Sequence, residues 1–134
     1  MFVKCYYDGT TGESETLFGA SNTTNRHLLY GPSDLWSLYA GAEIRTSVDT
    51  TAEGKIFSAL LNTTSSELRR NGSSVVTGNA GTMSWGTVRI GNAFQGSAGT
   101  NWNGTISEMV IYNSNQSSNY SGIESNINAY YSIF

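Results

Sequence analysis

Three aromatic residues and two amides, Tyr30, Trp36 and Trp102 with Asn101 and Asn103, are the side chains whose types could do recognition chemistry in this chain. A sugar presents an apolar C–H face that an aromatic ring can cover, while amides read its hydroxyls, so this set is a candidate glycan-binding site. Asn101-Trp102-Asn103 places an indole between two amides. The competing role for Trp36 and Trp102 is packing, because large aromatics dominate cores and sandwich lids.

Other reactive groups are sparse. Hydrolysis of a glycosidic bond needs two carboxyl groups across the sugar, one as acid and one as nucleophile or base. Glu108 is the only carboxylate inside a clear strand, and Ile106 and Val110 at matching spacing are apolar, so it reads as an edge residue or a partner for a helix. His27 is the single histidine, which leaves no His-based triad or metal cluster within one chain, and its place beside Arg26 suggests exposure. Neither a Gly-x-Ser-x-Gly elbow nor a Gly-x-x-x-x-Gly-Lys loop occurs. Asp8, Asp34 and Asp49 supply the hard oxygens calcium requires, but they fall in separate loops where turn formation explains each. These residues predict a non-enzymatic chain with no catalytic residues, cofactor or metal.

Cys5, the only cysteine, excludes an internal disulfide and sits in the apolar run Phe2-Val3-Lys4-Cys5-Tyr6-Tyr7, where a buried inert thiol is expected. Such a chain is compatible with folding in a reducing cytoplasm, as for a bacterial protein or a virus assembled inside its host. The net charge of −3 provides no basic face for nucleic acid, and Arg69-Arg70 reads as a solvated hairpin end. No stretch approaches the roughly 20 apolar residues of a membrane span, so no membrane partner is expected. The Asn-x-Ser/Thr triplets at Asn22, Asn62, Asn71, Asn103, Asn115 and Asn119 are what a chain rich in these residues produces by composition.

The elements that must position these groups are strands. With 134 residues, 38% of them hydrophobic and a single proline, the chain predicts one β-rich domain with its own core. Phe2 to Asp8 and Glu15 to Ala20 read as strands, followed by Arg26 to Tyr30 and Leu35 to Ala40 around the Gly31-Pro32-Ser33-Asp34 turn. Lys55 to Leu61 has two apolar faces, Ile56, Ser58, Leu60 and Phe57, Ala59, Leu61, and predicts a central strand covered on both sides. Asn71-Gly72 between strand-like runs predicts a tight hairpin. Gly86 to Gly91 and Gly104 to Tyr112 follow, the latter with Ile106, Glu108, Val110 and Tyr112 on one face. A terminal helix is expected, with cap candidates in Ser117-Ser118-Asn119, the Ser121/Glu124 spacing of a capping box, and Ile123, Ile127 and Tyr130 or Tyr131 on its packing face.

Val88-Arg89-Ile90-Gly91-Asn92, then Asn103-Gly104-Thr105-Ile106-Ser107-Glu108-Met109-Val110-Ile111-Tyr112-Asn113, then the helix, resemble the end of a concanavalin A-like or laminin-G-like domain. The Asn71-Gly72 hairpin is similar to turns common in those families. The resemblance spans Phe2 to the helix and implies an all-β, antiparallel β-sandwich jelly-roll over residues 1–134, with one short C-terminal helix. Domains of this kind commonly have strands before the one that Phe2 to Asp8 resembles, which implies strands supplied upstream or by a neighbouring copy. An edge lacking those strands invites pairing with another chain, so a homo-oligomer or a larger assembly is expected.

The Asn- and Ser-rich stretch from Tyr112 to Tyr120 is similar to laminin-G-like domains of phage structural proteins. It implies a virion location, assembled in the host cytoplasm, as a fibre, tail or capsid decoration domain whose partners are other virion proteins or copies of itself. The alternative is a lectin-like adhesion module that binds host-surface glycans. A glucanase on this fold would carry a Glu-x-Asp-x-x-Glu strand, and this chain has none.

Overall fold

The computed structural model describes residues 1–7, 15–20, 28–31, 35–48, 53–83, 88–92 and 101–134. Its strands are β1 (Phe2–Tyr7), β2 (Glu15–Ala20), β3 (Leu28–Gly31), β4 (Leu35–Tyr39), β5 (Glu43–Val48), β6 (Gly54–Leu60), β7 (Ser66–Arg70), β8 (Ser73–Gly78), β9 (Val88–Ile90) and β10 (Gly104–Val110), followed by helix α1 (Tyr120–Tyr131). They form two five-stranded sheets, ordered β10-β1-β6-β7-β8 and β5-β4-β3-β2-β9, and every described strand pair is antiparallel. The all-β character and the short C-terminal helix are as the sequence predicts. No open edge runs along β1, because β10 and β6 flank it.

Alternation along β1 divides its side chains between two buried clusters. Val3, Cys5 and Tyr7 join Phe57, Ala59 and Leu68 of their own sheet and Leu17, Trp36, Leu38 and Ile44 of the other in one core. Phe2 and Ile56 pack on the opposite face against Tyr120 and Ile127 of α1. β6 is therefore covered on both faces, as its two apolar sides predict, with residues 55–59 all buried.

The helix starts at one of its two predicted cap positions and not at the other. Asn119 is the N-cap residue, no side chain caps the helix, and Ser121 lies inside it. Glu124 is only 2% exposed and takes a 2.7 Å hydrogen bond from Ser58 Oγ instead of reaching back along the helix. A buried carboxylate needs a charged partner, and Arg69 supplies it at 2.9 Å. Arg69 is thus not the solvated hairpin end expected of the Arg69-Arg70 pair. Tyr131 rather than Tyr130 belongs to the packing face, since Tyr130 is 82% exposed.

β7 and β8 meet at Asn71-Gly72, both with positive φ, 48° and 77°, the combination of a type I′ hairpin turn. Asn71 also accepts the Ile56 N–H through Oδ1 at 2.8 Å, which ties the turn to β6. β3 and β4 pair as the predicted hairpin, while its turn at 32–34 lies outside the described residues.

Strand β5 was not anticipated: only Ile44 of its described side chains is buried, so its sequence carries almost no apolar alternation. In β10 the predicted faces break at a register shift, where Lys4 pairs with Glu108 but Cys5 pairs with Ile106. This bulge puts Ile106 and Met109 together against the core and leaves Glu108 across from Lys4.

Candidate functional site

At one end of β1, Tyr7 brings three strands' aromatics together. Its ring lies 5.5 Å from Trp36 and 5.6 Å from Trp102, and Trp36 in turn lies 5.8 Å from Trp102 and 4.4 Å from Phe57. Trp36 is 2% exposed, so its ring is a core element and offers no open face for stacking. Trp102 is partly buried against that core, and its indole N–H is buried with no hydrogen-bond partner among the described residues.

Gly104 makes room for this indole. A Cβ at that position would stand 3.1 Å from Trp102 Nε1 and 2.0 Å from the Tyr6 carbonyl oxygen, with φ at 148°. Asn101 and Asn103 are exposed on either side of Trp102. The segment is fixed by backbone bonds: Trp102 N–H donates to Gly91 O at 2.9 Å, and Gly91 N–H donates to Leu17 O at 2.9 Å. Asn101 Oδ1 accepts from Asn92 Nδ2. Of the five candidates, Trp36, Asn101, Trp102 and Asn103 therefore gather at one end. The Tyr30 backbone pairs with Ser37 next to Trp36, and its side chain lies outside the described residues.

Two buried charged side chains were missed. Glu15, 2% exposed, accepts the Asn103 N–H through Oε2 at 2.9 Å. Lys55 is fully buried, with Nζ 3.4 Å from Glu53 Oε1. The signal was available in β6, where Lys55 shares its parity with Phe57 and Ala59. Lys55 pairs with Cys5, whose thiol burial pushes up to about 12, with nearby Lys55 and Lys4 acting against it. Cys5 is inert packing, as its sequence context predicts.

Glu108 stands across from Lys4 in the β1–β10 pairing and near Tyr131 of the helix. Among the described residues no three His, Cys, Asp or Glu side chains stand where they could hold a metal ion. His27, Asp8, Asp34 and Asp49 lie outside those residues. No described helix is long and apolar enough to cross a membrane.

A second concavity opens at the other end of β1, a cleft of about 610 Å³. Its buried wall is Phe2, Phe18, Leu38 and Ala59, and its exposed wall includes Asn62, Asn113, Ser114 and Asn115. Among the described residues no acidic or basic side chain lines it, while the Met1 amino group does. Sequence reasoning had no means of finding it, because its walls come from segments far apart in the chain. No protein-family model matches this chain, and no curated protein resembles it significantly, so both ends are read from their own residues.

Proposed function

We propose that this chain is a laminin-G-like jelly-roll sandwich acting as a non-enzymatic structural domain of a bacteriophage particle, on a capsid, tail or fibre. The observation that carries the assembly role is exposed apolar surface along two open edges. Val88 and Ile90 of β9 are 41% and 59% exposed, and Ile111 and Tyr112, following β10, are 51% and 42% exposed. β9 and β10 are each the terminal strand of their sheets. Each edge carries one charge, Arg89 in β9 and Glu108 in β10, so the exposed apolar side chains beside them are what association would cover. The virion location rests on the resemblance of the Asn- and Ser-rich stretch after β10 and of the strand-strand-helix ending.

Light scattering across a concentration series tests the assembly role. The chain is expected to associate at micromolar concentration, and Ile90→Lys with Ile111→Lys to release monomers of unchanged thermal stability. A monodisperse wild-type monomer throughout overturns it. Immunogold labelling of particles from a candidate source tests the location: label over the capsid supports decoration, label at a tail tip supports a fibre, and absence from all particles rejects the virion reading.

A glycan-binding adhesion role is the second reading, favoured by one feature. Trp102 holds an unpartnered indole N–H between the exposed Asn101 and Asn103. Trp102→Ala is expected to abolish binding on a glycan array. A variant that loses stability but keeps its glycan affinity assigns Trp102 to packing alone.

A further inference from the structure

We propose that the cleft at the Met1 end of β1 binds an uncharged amphiphile, an alkyl or acyl chain lying along its apolar wall with a hydroxyl-bearing head at the mouth. The cleft opens to solvent at its mouth and holds about 610 Å³. It falls within the roughly 300–1,000 Å³ of small-molecule sites. Phe2 and Ala59 from one sheet, with Phe18 and Leu38 from the other, give an apolar wall that suits a chain rather than a sugar ring alone.

The head is defined by what the mouth contains. Among the described residues no charged side chain lines this cleft, and the Met1 amino group that does line it donates to Ala59 O at 2.9 Å and has its pKa lowered by burial to about 6. An ionic head would lose hydration there without gaining a counter-charge. Asn62 and Asn113 line the mouth, both exposed, and their side-chain amides have no hydrogen-bond partner among the described residues. An amide both donates and accepts, which matches a hydroxyl and not a carboxylate, which only accepts.

The mouth is also held in shape. Gln116 Nε2 donates to Ser114 Oγ at 2.8 Å, Asn119 Nδ2 donates to Gln116 Oε1 at 2.8 Å, and Ser117 N–H donates to Asn115 Oδ1 at 2.8 Å. These bonds order the loop after β10 before any ligand arrives, which lowers the entropy lost on binding. Tyr120, another lining residue, is 8% exposed and its buried hydroxyl has no partner among the described residues. An unmet buried hydroxyl is costly, and a ligand hydroxyl reaching it relieves that cost.

Octyl β-D-glucoside below its micelle-forming concentration is the probe, titrated into isotope-labelled full chain and followed by amide chemical shifts. Saturable binding is expected, with shifts at Leu61, Asn62, Asn113 and Ser114. Octanoate, with the same chain and an anionic head, should bind at least about tenfold more weakly, and glucose alone should not saturate. Asn113→Asp places a charge at an exposed position of the mouth and is expected to weaken octyl glucoside by about tenfold without altering thermal stability. Tyr120→Phe should weaken it while leaving thermal stability equal or higher. Non-saturating shifts, shifts centred elsewhere, equal affinity for octanoate, or unchanged binding by both variants overturns the proposal.

Discussion

Arg69 clamps both oxygens of Glu124, Nε to Oε1 at 2.9 Å and Nη2 to Oε2 at 3.2 Å, and so fastens the helix to the outer face of its sheet. The hydrogen bond that Arg69 donates to Glu124 is the main cause that raises the guanidinium above its ordinary value. Removing one partner leaves the other desolvated. Glu124→Ala is expected to cost about 3 kcal/mol, lowering the melting temperature by ~12 °C in calorimetry. Replacing both residues with apolar ones, as in Arg69→Met with Glu124→Leu, should cost less than the sum of the single changes.

Alkaline pH should destabilise this chain progressively, through two groups in turn. Burial raises Cys5 from its ordinary 9.0 to about 12 and Tyr120 from 10.0 to about 12. Below pH 9 both groups are protonated in the folded and unfolded chain, and their full contribution to stability is present. Above 9 the unfolded thiol ionises while the folded thiol does not, and above 10 the unfolded phenol follows, so stability falls toward pH 12. Each group can contribute a slope of at most about 1.4 kcal/mol per pH unit. Urea midpoints should fall between pH 9 and 10 for wild type and stay flatter for Cys5→Ala. The native thiol should resist Ellman's reagent until denaturant is added, and rapid native labelling would contradict its burial.

The hairpin at Asn71 depends on side-chain and backbone together. Asn71→Ala loses the bond to the Ile56 N–H and forces a non-glycine, non-asparagine residue to φ 48°. A loss of about 2 kcal/mol is expected in denaturant unfolding. Asn71→Asp keeps an acceptor and a tolerant backbone, and should recover much of it.

Gly104→Ala should damage both the β1–β10 pairing and the Trp102 pocket, because its Cβ would meet the Tyr6 carbonyl oxygen at 2.0 Å. The expected cost exceeds about 2 kcal/mol, with a change in tryptophan fluorescence. Gly122→Ala, where nothing lies within 4 Å of the added carbon, serves as the control and should stabilise the helix by up to about 1 kcal/mol.

Much of this fold is legible where local patterns are strong. The doubly apolar β6 and the Asn71-Gly72 turn announce themselves through alternation and turn chemistry. β5 does not, since an edge strand with Ile44 as its only described buried side chain needs no apolar period. The Ser121/Glu124 spacing misleads because Arg69, distant in sequence, competes for the carboxylate and wins. Trp36 and Trp102 are readable as important but not as buried or partly open, which depends on Tyr7 and Phe57 arriving from other strands. The amide-rimmed cleft is invisible locally, for the same reason.

Phe2 pairs with Val110, so the first strand described finds one of its two neighbours almost at the other end of the chain. Closing so long a loop costs equilibrium stability only logarithmically, but it slows the search for the native state. Folding in milliseconds to seconds, rather than microseconds, is the expected order for such non-local pairing. During synthesis the consequence is sharper. Until residues 104–110 leave the ribosome, the strand that ends up inside its sheet remains an unpaired, aggregation-prone border.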